Sequence, residues 1–186
     1  MNFTRKILED ALLNALSNAE ELYQEAVILK DNKRYARAYT LFHLSIEEIG
    51  KVFIIYKYLL GNDYSDDQMK EFEKEFKQHK VKIDFATNID VLANWVNEGG
   101  LTAEILEKAT YSKKQIDDLN DLKNLSLYSF FHKGSSFKPS DMIEDKDVEQ
   151  IHFIAEYRIK GTSDLSKVFL PDLDRLIKVI EEHKSK

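Results

Sequence analysis

Arg37-Ala38-Tyr39-Thr40-Leu41-Phe42-His43-Leu44-Ser45-Ile46-Glu47-Glu48-Ile49-Gly50-Lys51 is the stretch on which the fold turns. It reads as the middle of one long helix. Tyr39, Phe42, Ile46, Ile49, Phe53, Tyr56 and Leu60 recur at alternating steps of three and four, which draws one apolar stripe along the helix. His43, Glu47 and Lys51 follow at i, i+4 and i+8, a column beside that stripe, and Glu48 lies one turn from Lys51. Two readings of the column stay open. It is either a solvated flank of Glu-to-Lys pairs, or a half-buried ionisable cluster whose members must pair with one another.

The whole chain frames that helix. Its 186 residues suit one domain, residues 1–186, with length enough for a real core. The chain is 43% hydrophobic and 32% charged, a globular balance, and two prolines with six glycines favour long helices over short strands. With no cysteine, disulfides and thiolate chemistry are excluded, and a reducing, cytoplasmic home is expected. No apolar run suggests a signal peptide or a membrane span. A net charge of −6 argues against a global field that collects phosphates and leaves room only for a local basic groove.

Working outward, apolar periodicity predicts a first helix over about 4–29, capped by Thr4, and the central helix over about 33–60, closed at Gly61-Asn62-Asp63. A third helix opens at Ser65-Asp66-Asp67 and continues to about 96. His79 occupies a slot in its apolar stripe, so it is expected to point inward, where an imidazole needs a polar partner; Glu47 or Glu48 could be that partner. Short helices are expected over 102–109 and 112–125. The aromatic stretch from Asn124 to Ser140 loses helical periodicity and reads as a loop, either packed on the bundle or presented to a partner. Helical pattern returns from about 144, breaks at Gly161-Thr162-Ser163, and resumes over 164–182, where Pro171 must kink the helix or start a second one. The expected fold is all-α, a single-domain bundle of five to seven helices.

Motifs for nucleotide binding and for a serine nucleophile are absent. A di-iron bundle needs two Glu-x-x-His pairs, and only Glu149-Gln150-Ile151-His152 fits, so neither metal nor another cofactor is expected. No helix carries the basic, amide-rich face of a helix-turn-helix reader.

Three segments in order carry a family resemblance. The Glu47-Glu48-Ile49-Gly50-Lys51 helix resembles the Glu-Glu-x-Gly-Lys helix of AbiV-type abortive-infection proteins, which are phage-resistance proteins placed among HEPN-like helical domains. Phe76-Lys77-Gln78-His79-Lys80-Val81-Lys82 is similar to that family's Phe-x-x-His-Lys-x-Lys segment. Lys123 to Tyr128, trailed by Pro139-Ser140, looks like its lysine-to-Leu-Tyr loop. The resemblance implies a cytoplasmic, toxin-like defence protein. It also implies a homodimer, since many HEPN domains are metal-independent ribonucleases built on an Arg-to-His motif across a dimer. Arg37 and His43 match that motif's letters, the arginine for phosphorane charge and the histidine for acid–base work. An alternative centre uses Glu47, Glu48, Lys51 and His79, with Lys82, Lys123 and Tyr128 as binding residues. The rival class is a non-enzymatic binding module that blocks the translation machinery or senses a phage protein. A nuclease should bring Arg37 and His43 into one open cleft. A binding module should show a buried Glu48–Lys51–His79 network and exposed aromatics from Tyr128 to Phe137.

Overall fold

The computed structural model describes residues 4–98 and 102–184. Its first helix, α1 (Arg5–Asp31), starts where the Thr4 hydroxyl accepts the Ile7 amide. A tight turn through Lys33, in the left-handed region at φ 58°, returns the chain into α2 (Tyr35–Gly61). The two helices pack side by side along much of their length, as so short a connection demands. The central helix ends at Asn62, whose left-handed conformation (φ 52°) makes the turn within the expected Gly61-Asn62-Asp63 stop.

α2 is the axis of the molecule. Most of its residues are buried, on more sides than one stripe could cover, because α1 and the helices over residues 79–85, 113–127 and 145–169 all pack on it. A helix buried nearly all round belongs to the centre of a bundle. Two apolar clusters fill the space about it. One gathers Phe42, Ile46 and Ile49 with Val148, Ile151 and Ala155, and the other gathers Ile54, Ile55 and Leu59 with Leu8, Leu12 and Ile177.

The expected third helix is three pieces: α3 (Asp66–Lys77), α4 (His79–Phe85) and α5 (Asn88–Glu98). Gln78 is extended (φ −88°, ψ 115°) and breaks the first pair, while Thr87 leads into α5. α3 is amphipathic but carries no buried residue, whereas α4 turns inward and buries Lys82 and Ile83. Next come α6 (Ala103–Ala109) and α7 (Lys113–Leu127), the latter opened by a reciprocal capping box between Ser112 and Gln115.

The aromatic stretch is a β-hairpin. Strands β1 (Phe130–His132) and β2 (Ser135–Phe137) pair antiparallel around Lys133 and Gly134, both at positive φ, as a primed two-residue turn requires. Phe130 and Phe137 stack at 5.2 Å on one face of the ribbon. A 3-10 turn (Pro139–Asp141) then leads to α8 (Asp145–Phe169) and α9 (Leu173–Lys184).

α8 overturns one expectation. It runs unbroken through Gly161-Thr162-Ser163, with Thr162 buried. Gly161 serves packing, because a Cβ there would sit 2.8 Å from the Ile89 side chain of α5. Pro171 instead lies in the turn before α9. The predicted all-α class holds, with the small hairpin as its one β element among the described residues.

Candidate functional site

The site forms where α4 and α7 cross α2, and it is centred on Glu47. The crossing depends on Gly50. A Cβ at that position would lie 1.8 Å from the backbone carbonyl oxygen of Lys82, so only glycine lets α4 lie this close to α2. Docked there, α4 delivers His79 from its first residue and Lys82 from one turn on. The α7 side is held by the Thr40 and Ser126 hydroxyls, 2.7 Å apart and buried, which brings Lys123 to the same point.

Glu47 is only 2% exposed and is met by lysine and histidine side chains of α2, α4 and α7. The Lys82 ammonium stands 2.8 Å from Oε2, and the His79 ring shares the same oxygen through Nδ1 at 2.6 Å. On the other oxygen, Oε1, Lys123 Nζ and His43 Nδ1 each stand at 3.5 Å. Burial alone would raise this carboxyl. Hydrogen bonds with Lys82 and His79, and the positive charge around it, outweigh burial and hold it below the ordinary carboxylate range. Lys123 also donates to Asn120 at 3.1 Å.

His43 completes the cluster from below. It is 1% exposed, and neither ring nitrogen has a hydrogen-bond partner. Burial pushes its imidazole down to about 4, against the pull of the Glu47 charge and helped by Lys123, His79 and Lys82, so the ring is neutral at physiological pH. A neutral, enclosed ring with no partner cannot exchange a proton with a substrate as it stands.

The other residues singled out in the sequence are placed differently. Arg37 lies on the surface, away from His43, with a long hydrogen bond of 3.5 Å to the Leu127 carbonyl. Six residues at about 100° each turn them to different sides of α2. Glu48 pairs with Lys51 at 2.5 Å, and the Lys51 ammonium also lies over the Phe76 ring at 5.1 Å. The expected partnership of His79 is made with Glu47 and not with Glu48. His79 itself is 55% exposed at the mouth of the cluster, where an inward core position was expected, because the break at Gln78 makes it the first residue of α4. Tyr128 is 62% exposed beside the hairpin.

His152, half of the Glu-x-x-His pair, is committed elsewhere. Its Nδ1 accepts from Lys30 at 2.9 Å, which leaves Nε2 to donate to the Tyr23 hydroxyl at 2.9 Å, and its ring stacks on Phe42 at 4.8 Å. Among the described residues no three His, Asp or Glu side chains converge to hold a metal ion.

One buried pair escaped the sequence reading. Arg158 of α8, almost wholly buried, holds Asp90 of α5 through Nη2 at 2.5 Å and Nε at 3.4 Å, and its guanidinium lies over the Tyr111 ring at 4.8 Å. Burial raises the Asp90 carboxyl and Arg158 opposes it. The signal was present: Arg158 falls seven residues after Ile151 and three after Ala155, on the buried stripe.

A family model, HEPN_AbiV, matches residues 7–160, from α1 into α8, and so spans every element of this site. The chain belongs to the AbiV family. It is therefore an abortive-infection protein of HEPN type. No curated protein and no solved structure is significantly similar to it. In this AbiV-family chain the Glu-Glu-x-Gly-Lys helix has a physical explanation residue by residue. Glu47 is the anion that the lysines of α4 and α7 share, Gly50 admits α4, and Glu48 with Lys51 forms a separate pair. Among the described residues no helix is long and apolar enough to cross a membrane.

Proposed function

We propose that the chain acts in abortive infection by binding, with single-stranded RNA of the translation machinery as its target, and without cutting it. The observation that carries this is one continuous surface. Lys33, Arg34 and Arg37 line a groove of about 360 Å³ with Lys138 and Ser140, a local basic patch on a chain of net charge −6. The bond from Arg37 to the Leu127 carbonyl joins that groove to Tyr128 and the hairpin, where Phe131 is 74% exposed. Cations that track a phosphate backbone beside rings that stack on bases are the parts a single-strand platform needs. A ribonuclease role asks for Arg37 and His43 in one open cleft, and the enclosed His43 counts against it. The Glu47 cluster then sets the register of α2, α4 and α7, a role that buried ionic groups can fill.

The test pairs anisotropy of a labelled single-stranded RNA with gel analysis of the same RNA and of total RNA from arrested cells. The expected result is binding that weakens steeply with salt and with Arg37→Ala, Lys138→Ala or Phe131→Ser, while the RNA stays intact. Fragmentation abolished by Arg37→Ala would instead establish a ribonuclease. Growth arrest without RNA binding would move the target to a protein, a phage protein among them.

A further inference from the structure

The cleft between α2, α7 and α8 lies apart from the Glu47 cluster and from the hairpin surface. It encloses about 220 Å³. This falls below the roughly 300–1,000 Å³ of sites for drug-sized ligands and suits one side chain or a short amine. Ile151 and its apolar neighbours share the lining with the carboxylates of Asp118 and Asp147 and with Tyr39, Tyr111 and Gln150. Tyr39 is almost wholly buried, and among the described residues its hydroxyl has no hydrogen-bond partner, though it lies within electrostatic reach of Asp147 and Tyr111. That hydroxyl reaches the cleft with no partner among the described residues and can share a hydrogen bond with a ligand seated there.

The charges select the ligand. Neither Asp118 nor Asp147 has an ion pair with a cation among the described residues, and Asp147 uses one oxygen to accept the Glu144 amide at 2.9 Å, leaving the other free. An anion would be repelled. A purely apolar guest would strip water from two carboxylates without return. A cation on a short alkyl chain satisfies both, and the Arg158 guanidinium already lies on Tyr111, neutralised by Asp90, so the ring's taste for such a group is built into the fold.

We propose that this cleft binds an ammonium or guanidinium group on a short alkyl chain, its charge between Asp118 and Asp147 and its methylenes on Ile151. The source is either a free diamine or a basic side chain of a protein partner. Two probes separate them in titrations followed by amide and aromatic resonances: agmatine, and a capped Gly-Arg-Gly peptide. Agmatine should shift signals at Tyr39 and Ile151, and loss of one charged hydrogen bond in Asp118→Asn should weaken it about tenfold. Asp118 is exposed, so this variant keeps the fold, and an otherwise unchanged spectrum verifies that. Asp147→Asn, which keeps an oxygen for the Glu144 amide, should act in the same direction. Shifts with the peptide alone assign the cleft to a partner's basic side chain. No shift with either probe, or shifts that both variants leave unchanged, overturns the proposal.

Discussion

Glu47 is one carboxylate facing two buried lysines, and that imbalance governs what substitution does. Glu47→Gln keeps the shape and removes the charge, leaving Lys82 and Lys123 buried without an anion. Breaking a buried pair in this way costs about 3–5 kcal/mol, which urea unfolding at neutral pH should read as a large fall in midpoint. His79 shares the same carboxylate, but from a position 55% exposed to solvent. His79→Ala should therefore cost less than about 1 kcal/mol, the range of solvent-screened pairs. If both variants unfolded alike, the cluster would not be centred on Glu47. His43→Leu belongs to the same set. Its two unpartnered nitrogens make removal close to neutral at pH 7, since deleting unsatisfied polar atoms relieves a desolvation cost.

At the scale of elements, the docking of α4 on α2 is the step that assembles the site. Gly50→Ala sets a methyl against the Lys82 carbonyl, which is backbone and has no rotamer to yield. The relief available is for α4 to lift, carrying Lys82 and His79 away from Glu47. Amide hydrogen exchange should then show lost protection across His79–Phe85 while α1 and α8 keep theirs, since local opening follows cooperative units. Uniform loss over all helices would contradict a local role for Gly50. The hairpin behaves in the opposite way. Phe131 projects into solvent, so Phe131→Ser should leave the thermal midpoint unchanged within about 0.5 kcal/mol while weakening RNA binding. A ring that mattered to both would be part of the core.

For the whole molecule, acid is the informative variable. The folded value of His43 lies near 4, below its ordinary 6.5, so the native state binds fewer protons than the unfolded chain between those limits. Its share of stability is intact above about pH 6.5 and is lost as pH falls through 4, a loss of about 3 kcal/mol when complete. Glu47, also held low, adds a loss of the same sign as pH falls through its depressed value. Unfolding midpoints measured from pH 7.5 downward should fall steeply below 6.5, and His43→Leu should flatten the upper part of that curve. An unchanged slope in the variant would mean that His43 takes up its proton alike in the native and unfolded states, so that burial does not hold the ring neutral.

Much of this was legible along the chain. The three-four spacing from Tyr39 to Leu60 named the central helix, and three short segments in order, the Glu-Glu-x-Gly-Lys run first among them, pointed to the family, because each signal is local. His79 was matched to a glutamate partner, though spacing could not choose between Glu47 and Glu48. Periodicity alone left α2 a one-sided helix and the column beside its stripe either wet or buried. Only tertiary packing decided that, because α4 and α7 cover a flank whose fate a single helix does not contain. The break at Gln78, the unbroken α8 through Gly161 and the Arg158–Asp90 pair have the same origin. Each depends on a neighbour distant in sequence: α2 beneath α4, Ile89 against Gly161, and α5 beside α8. Local periodicity determined which segments are helices, and the contacts between those helices determined which of their charges are buried together.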